Sequence, residues 1–107
     1  MKAAVLYGKQ DLRYTEVETP RINRDEILVR VKATGICGSD LPRVLGDGAH
    51  FYPIILGHEF SGEVVEVGPA VTNVQVGERI AGAPLVPCLQ CSDCQQGWYS
   101  QCKHYTF

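Results

Sequence analysis

The chain has 107 residues, a formal net charge of −2 and 45% hydrophobic residues, which suits one globular domain. The slightly acidic composition excludes the basic surface typical of nucleic-acid binding or of binding to anionic membranes. The sequence has no signal-peptide-like start and no apolar run that approaches the roughly 18 residues of a membrane helix, so we expect a cytoplasmic protein.

Short stretches of alternating apolar and polar residues predict strands along most of the chain. Ser39 is a candidate N-cap for a short helix that ends near Leu45, with Pro42 close to its first turn. Close spacing of short strands around one brief helix predicts a mostly antiparallel, barrel-like β domain that ends in a loop-like tail. In chain order, the predicted strands are residues 2–7, 12–17, 26–34, 60–67 and 79–83.

The tail carries four cysteines in the spacing C-x2-C-x2-C-x7-C. A two-residue gap lets two sulfurs reach one metal ion from a tight turn, and zinc binds four thiolates in a tetrahedron with Zn–S distances near ~2.3 Å. Four thiolates leave no coordination position open, so the pattern predicts a structural zinc site that ties down a segment with little core of its own. The four residues are Cys88, Cys91, Cys94 and Cys102.

The same four thiols have other possible uses. Two disulfides, reduced buried thiols or a 4Fe–4S cluster would also employ them. The chain has five cysteines, an odd number that would leave one unpaired in a disulfide-bonded protein, and a cytoplasmic location favours metal binding. His104 is an alternative ligand, although a solvent-facing histidine is the favoured interpretation.

A second group of metal-binding residue types lies earlier in the chain. Cys37 is part of TGICGSD, and His58, twenty-one residues later, stands beside Glu59 in LGHEFSG. A site with only two or three protein ligands leaves a position open for water or substrate, and zinc then acts as a Lewis acid. Taken singly, Cys37 would be interpreted as a small buried hydrophobe and His58 as a hydrogen-bonded core histidine. Their combination favours a catalytic metal site.

The motifs GICGSD and PIILGHEFSGEVVEVG, followed by the four-cysteine segment, resemble the zinc-dependent medium-chain alcohol and polyol dehydrogenases. The resemblance covers nearly the whole chain. It implies a GroES-like catalytic domain, which is a partly open antiparallel β-barrel, with the structural-zinc segment at residues 84–107. It also implies a catalytic zinc held by Cys37 and His58, with Glu59 as a further ligand or a neighbouring group.

The resemblance also assigns roles around that zinc. Ser39 matches the hydroxyl that contacts the substrate alcohol and passes its proton towards solvent, and Asp40 matches the acid that orients the zinc-bound histidine. The implied reaction is oxidation of a polyol or polyol phosphate, with galactitol 1-phosphate as the nearest candidate, by hydride transfer to NAD. Taken only as local structure, Ser39 and Asp40 would be a helix cap and a first-turn acid.

No G-x-G-x-x-G motif follows a predicted strand in this sequence, so we expect the nucleotide-binding domain to lie outside it. Residues 1–107 are therefore expected to be the N-terminal part of the catalytic domain. We expect this part to be inactive alone and the full enzyme to be a homo-oligomer. The alternative is a stand-alone zinc-ribbon interaction module, which would explain the four-cysteine segment but not the Cys37 and His58 motifs.

Pro42 and Arg43, which follow Ser39 and Asp40, add detail to the resemblance. Many family members carry histidine where Pro42 stands, and that histidine can aid a proton relay, so such a role is in doubt here. Arg43 could contact a substrate phosphate, because guanidinium groups pair well with phosphate oxygens. The ordinary alternative is an arginine on the helix surface.

Overall fold

The computed structural model describes residues 1–106. Its first sheet begins with an antiparallel hairpin of β1, Lys2–Gly8, and β2, Asp11–Glu16, in which Lys2 lies opposite Glu16. A third strand joins the free edge of β1 through only two residues. That strand, Ile54–Ile55, is β4 in chain order and was not predicted from the sequence, because two residues are too few to show an alternating pattern.

The second sheet has β5 as its central strand. Strand β3, Ile27–Thr34, pairs antiparallel along the length of β5, Phe60–Val67, and β6, Arg79–Ala81, pairs with the other edge of β5. Two irregularities interrupt the register between β3 and β5. Gly62 in β5 allows a close approach, since a Cβ there would lie 2.5 Å from the carbonyl oxygen of Arg30. All strand pairs between named strands are antiparallel, as predicted.

Three short helical segments complete the described residues. They are α1, Asp40–Leu45, α2, Ser92–Gln95, and a 3-10 helix, Tyr99–Gln101. Helix α1 lies where the sequence predicted it, but the expected cap is wrong: Ser39 has a helical backbone and its side chain makes no capping hydrogen bond. The tail is also less loop-like than expected, because α2 and the 3-10 helix lie between its cysteines.

The buried apolar residues form two groups. Val5, Leu6 and Val64 come from the two sheets, whereas Cys94 and Cys102 come from the tail. The result is a mostly β fold with open rather than closed sheets, as expected. Among residues 1–106, no helix has the length and apolar character needed to cross a membrane.

Candidate metal centres

The tail brings its four cysteine sulfurs together. Cys91 precedes α2, Cys94 lies within it, and Cys102 follows the 3-10 helix directly. Backbone turns with positive φ at Leu89 and Gly97 reverse the chain between these positions. The four Sγ atoms, including that of Cys88, all lie within 4.8 Å of one another.

The distances between sulfurs fit a tetrahedral ion better than they fit disulfides. Sγ of Cys94 lies 3.9 Å from Sγ of Cys88 and 3.5 Å from Sγ of Cys91. Zn–S bonds of ~2.3 Å at tetrahedral angles place sulfurs roughly 3.8 Å apart, whereas a disulfide requires about 2.05 Å. All five cysteines are free thiols. The donor set therefore fits a closed, four-thiolate zinc site.

Backbone amides around this cluster favour charge on two of its sulfurs, those of Cys91 and Cys102. The amides of Lys103 and Cys94 lower the pKa of Cys91 to about 6, and the amide of Cys88 lowers the pKa of Cys102. Burial raises the pKa of Cys94 to about 12. A bound cation would offset the cost of ionising Cys94, because coordination to a metal deprotonates a thiol outright.

The segment that carries the cysteines is closed by contacts outside the cluster. Val86 and Thr106 form a two-way backbone bridge across its base, with N–O distances of 2.8 and 3.0 Å. Lys103 Nζ donates to Ser92 Oγ at 3.2 Å and lies 3.4 Å from Asp93 Oδ2. His104 is exposed and donates its backbone amide to Cys102 Sγ at 3.4 Å. Of the predicted range 84–107, Phe107 lies outside the described residues.

The second cluster forms where β3 ends and β5 begins. One ligand atom each from Cys37, His58 and Glu59 lies within 4.8 Å of the others. Beyond the last paired residues of the two strands, the amide of Gly35 donates to the carbonyl of Glu59 at 2.7 Å. Oγ1 of Thr34 donates to the same carbonyl at 3.0 Å. These bonds extend the strand pairing and hold the two motifs side by side.

The carboxylate of Asp40 links Cys37 to His58. Asp40 is buried, with 7% of its surface exposed. Its Oδ2 accepts a hydrogen bond from the Cys37 amide at 3.0 Å, and its Oδ1 lies 3.7 Å from His58 Nδ1. Oδ1 has no hydrogen-bond partner among residues 1–106. A carboxylate facing Nδ1 favours a proton on that nitrogen and leaves Nε2 available as a metal ligand.

An ion would fit this second cluster through three donors of suitable chemistry, a thiol, an imidazole and a carboxylate. The cluster borders an open cleft of about 660 Å³ that is also lined by Phe60 and Pro84. His58 and Cys37 are half-buried, and Glu59 is exposed. Three protein donors beside an open cleft leave space for one small molecule at the ion, which is typical of a catalytic site.

Two features of this site were missed in the sequence. Ser39 is exposed, and its Oγ accepts a hydrogen bond from Nη1 of Arg43 at 2.9 Å. Their four-residue spacing on a helix could have indicated that contact. The other feature is Gly35, where a Cβ would lie 2.5 Å from Glu59 Oε2. These residues are far apart in sequence, so only the strand pairing reveals their contact.

These features define the class of protein. Residues 23–107 match the family model of the alcohol dehydrogenase GroES-like domain, and the chain belongs to this family. The similarity to one kind of member is high: the chain is 45% identical, over its whole length, to galactitol 1-phosphate 5-dehydrogenase of Escherichia coli K12. The chain spans 31% of the length of that relative.

Solved structures agree with the sequence comparison. The crystal structure of galactitol-1-phosphate dehydrogenase from Escherichia coli matches with a TM-score of 0.90 and 45% identity, covering 100% of this chain and 31% of the other. A cobalt- and zinc-bound thermostable alcohol dehydrogenase from Pyrobaculum aerophilum matches with a TM-score of 0.83 and 38% identity, covering 96% and 32%. The expected family and fold are therefore confirmed.

Proposed function

We propose that the chain is part of the catalytic domain of a zinc-dependent dehydrogenase that oxidises a polyol or polyol phosphate and transfers hydride to NAD. The observation that carries this proposal is the cluster of Cys37, His58 and Glu59 beside an open cleft, with Asp40 behind His58. The similarity to a galactitol 1-phosphate 5-dehydrogenase supports the polyol-phosphate substrate class.

In the proposed reaction, each residue of this site has a distinct role. Cys37, His58 and Glu59 hold the ion, which, when bound, supplies Lewis-acid polarisation of the substrate oxygen. Asp40 fixes the tautomer and the ring orientation of His58. Ser39 is exposed beside the cluster, so its Oγ can accept the proton of the substrate hydroxyl while its own proton passes to water.

The four cysteines of the tail would hold a second zinc ion with a structural role. What supports this role is that the four Sγ atoms lie within 4.8 Å of one another and that two of the four residues are buried. A four-thiolate site has no open position for substrate. In this proposal residues 84–107 form a zinc-binding segment of the catalytic domain, in an enzyme that is cytoplasmic and homo-oligomeric.

The alternative of a stand-alone zinc-binding interaction module accounts for fewer features. It explains the tail, but it gives no role to the convergence of Cys37, His58 and Glu59 or to a buried Asp40 carboxylate aimed at His58. The dehydrogenase proposal uses both clusters and agrees with the family membership.

The test is nicotinamide reduction by the full protein, with zinc supplied, on a panel of alcohols. We expect activity with galactitol 1-phosphate that exceeds activity with galactitol, sorbitol and simple alcohols. Activity only on unphosphorylated alcohols would discard the polyol phosphate and keep the zinc chemistry. A zinc-loaded protein that oxidises none of them would contradict the enzyme proposal and favour the interaction module.

A further inference from the structure

Among the described residues, the hydrogen bonds and the ion pair of the Arg43 side chain lie within the motif that carries the proposed proton-accepting serine. Its Nη1 donates to Ser39 Oγ at 2.9 Å and to the Ser39 carbonyl oxygen at 3.1 Å. The same nitrogen lies 3.6 Å from Asp40 Oδ1. Only 25% of the Arg43 side chain is exposed. This arginine is therefore folded back over the start of α1 and is not a solvated residue of the helix surface.

Without this contact the Ser39 side chain would be free to rotate. Ser39 is exposed, its side chain forms no helix cap, and the bond from Arg43 is its only side-chain hydrogen bond among the described residues. A serine hydroxyl rotates to suit its partners, so a fixed donor on one side sets the direction of the remaining lone pair and of the O–H bond.

The positive charge of Arg43 also lies close to the buried carboxylate of Asp40. Asp40 Oδ1 is buried and lacks a hydrogen bond among residues 1–106, with the guanidinium on one side and His58 Nδ1 on the other at 3.7 Å. A buried carboxylate is costly unless a positive group lies close to it. The guanidinium therefore stabilises the carboxylate that orients His58.

We propose that Arg43 is a positioning residue for the dehydrogenase site, which holds Ser39 Oγ in the orientation that accepts the substrate proton and steadies Asp40 behind His58. This inference rests on the proposed function. Because a guanidinium donates hydrogen bonds and does not accept protons, Arg43 cannot be the next group in the relay. The proton accepted by Ser39 leaves to water, in a site where Pro42 offers no acceptor.

This role differs from recognition of a substrate phosphate. An arginine that binds phosphate usually presents two nitrogens in a fork towards the ligand. In this chain the recorded contacts of Arg43 are made with Ser39 and Asp40, through a guanidinium that is mostly covered. The two roles have different kinetic consequences, because positioning affects turnover on every substrate and phosphate binding affects only phosphorylated ones.

The experiment compares Arg43→Met and Arg43→Lys with the wild type in the full protein, using galactitol 1-phosphate and an unphosphorylated polyol. We expect Arg43→Met to lower kcat roughly 10-fold to 100-fold on both substrates, since a complete proton-transfer group contributes about 10²–10⁴-fold. The ratio of the two KM values should stay unchanged, and Arg43→Lys should recover part of kcat. Arg21→Met, at an exposed position outside the site, is the control.

Two further measurements separate positioning from other effects. With zinc in large excess, so that the Cys37 cluster stays occupied, the double variant Ser39→Ala, Arg43→Met should lose little more kcat than Ser39→Ala alone, because the remaining effect of Arg43 acts through Ser39. Cobalt titration, read by absorption without turnover, should show weaker binding at the Cys37 cluster in Arg43→Met, by up to about 10-fold. Unchanged cobalt affinity together with additive losses would overturn the inference.

The remaining outcomes are also decisive. A rise in KM for the phosphorylated substrate alone would assign Arg43 to phosphate binding, and behaviour equal to Arg21→Met would make it a surface residue. If the wild type oxidises no polyol, the proposed function fails, while the cobalt comparison still decides whether Arg43 supports the Asp40 and His58 pair. Should Arg43→Met not fold, Arg43→Lys carries the same tests with a smaller expected change.

Discussion

Asp40 uses its two oxygens for two different neighbours. One accepts the Cys37 amide at 3.0 Å, and the other faces His58 Nδ1 at 3.7 Å. Partners of this kind hold a metal-binding imidazole in one orientation and one tautomer. As local pattern alone, Asp40 is a first-turn acid of a helix, and only the family resemblance implied that it orients the histidine. Its burial and its 3.7 Å distance from His58 Nδ1 are visible in the folded chain.

Replacing Asp40 by Asn tests this role. An amide in place of the carboxylate removes the negative charge and one acceptor beside His58, so we expect metal affinity at the Cys37 cluster to fall roughly 10-fold to 100-fold. Cobalt titration of the full protein measures the change, and the four-cysteine site provides an internal reference. Asp47→Asn is the matched control, since Asp47 is exposed and its contact is Lys9 at 3.0 Å. Equal affinities in the two variants would contradict the role.

Gly35 determines how closely the Glu59 carboxylate approaches the cluster. A Cβ at this position would lie 2.5 Å from Glu59 Oε2, the end of a flexible side chain, and 3.2 Å from Glu59 Cβ, so Gly35→Ala should displace the carboxylate and shift Glu59 by a few tenths of an ångström. We expect cobalt affinity at the Cys37 cluster to fall, as it would in Glu59→Gln. The double variant should show no additional loss.

Gly38→Ala is the control for that experiment. It lies in the same loop, and a Cβ there would meet no atom within 4 Å. Gly38→Ala should leave cobalt affinity unchanged. If it weakened cobalt binding as much as Gly35→Ala does, the cause would be a change in loop flexibility, and displacement of Glu59 would be ruled out as the cause.

In the tail, a bound metal ion would stabilise the fold in the way that an apolar core stabilises other segments. Its buried residues are Cys94 and Cys102, and the other cysteines of the cluster are half-buried. Structural zinc supplies an apparent binding free energy of about 10–16 kcal/mol in zinc-finger peptides. The fold of this segment should therefore depend on the ion more than on its hydrogen bonds.

Cys94→Ser tests that dependence. Loss of the buried thiolate should release zinc from the tail and free Lys103, which bonds Ser92 at 3.2 Å in the folded segment. We expect trypsin cleavage after Lys103 to accelerate at least about tenfold, since the segment loses its metal-coupled folding energy. Cys37→Ser is the control, because it removes a thiol of the other cluster and should leave this cleavage slow. Equal cleavage rates would show that the segment folds without the ion.

Prediction from sequence succeeded for elements whose pattern is long enough to show its period. Strands β3 and β5 each extend over eight residues and were predicted closely. Strand β4 has two residues and α2 has four, so neither shows a period, and α2 begins directly after Cys91, where no side chain caps it. Ser39 has the residue type of a cap, yet its hydroxyl accepts a hydrogen bond from Arg43 instead.

At the scale of the whole molecule, the two candidate metal clusters lie on different parts of the fold. One joins the ends of β3 and β5, and the other organises the tail. Both clusters could be predicted from the types and the spacing of their residues, because metal chemistry restricts which residues bind an ion and how far apart they stand. The contacts of Gly35 and Arg43 depend on strand register and on side-chain rotamers, which composition and spacing do not determine.

We propose that the protein holds two zinc ions with different roles, and the number of zinc ions per chain can be measured. The full protein, purified without added chelator, should contain close to two zinc ions per chain by elemental analysis. Cys37→Ser should contain close to one, retained by the four cysteines. A wild-type protein with one zinc ion or none, or a Cys37→Ser variant with the same zinc content as the wild type, would rule out two separate zinc sites.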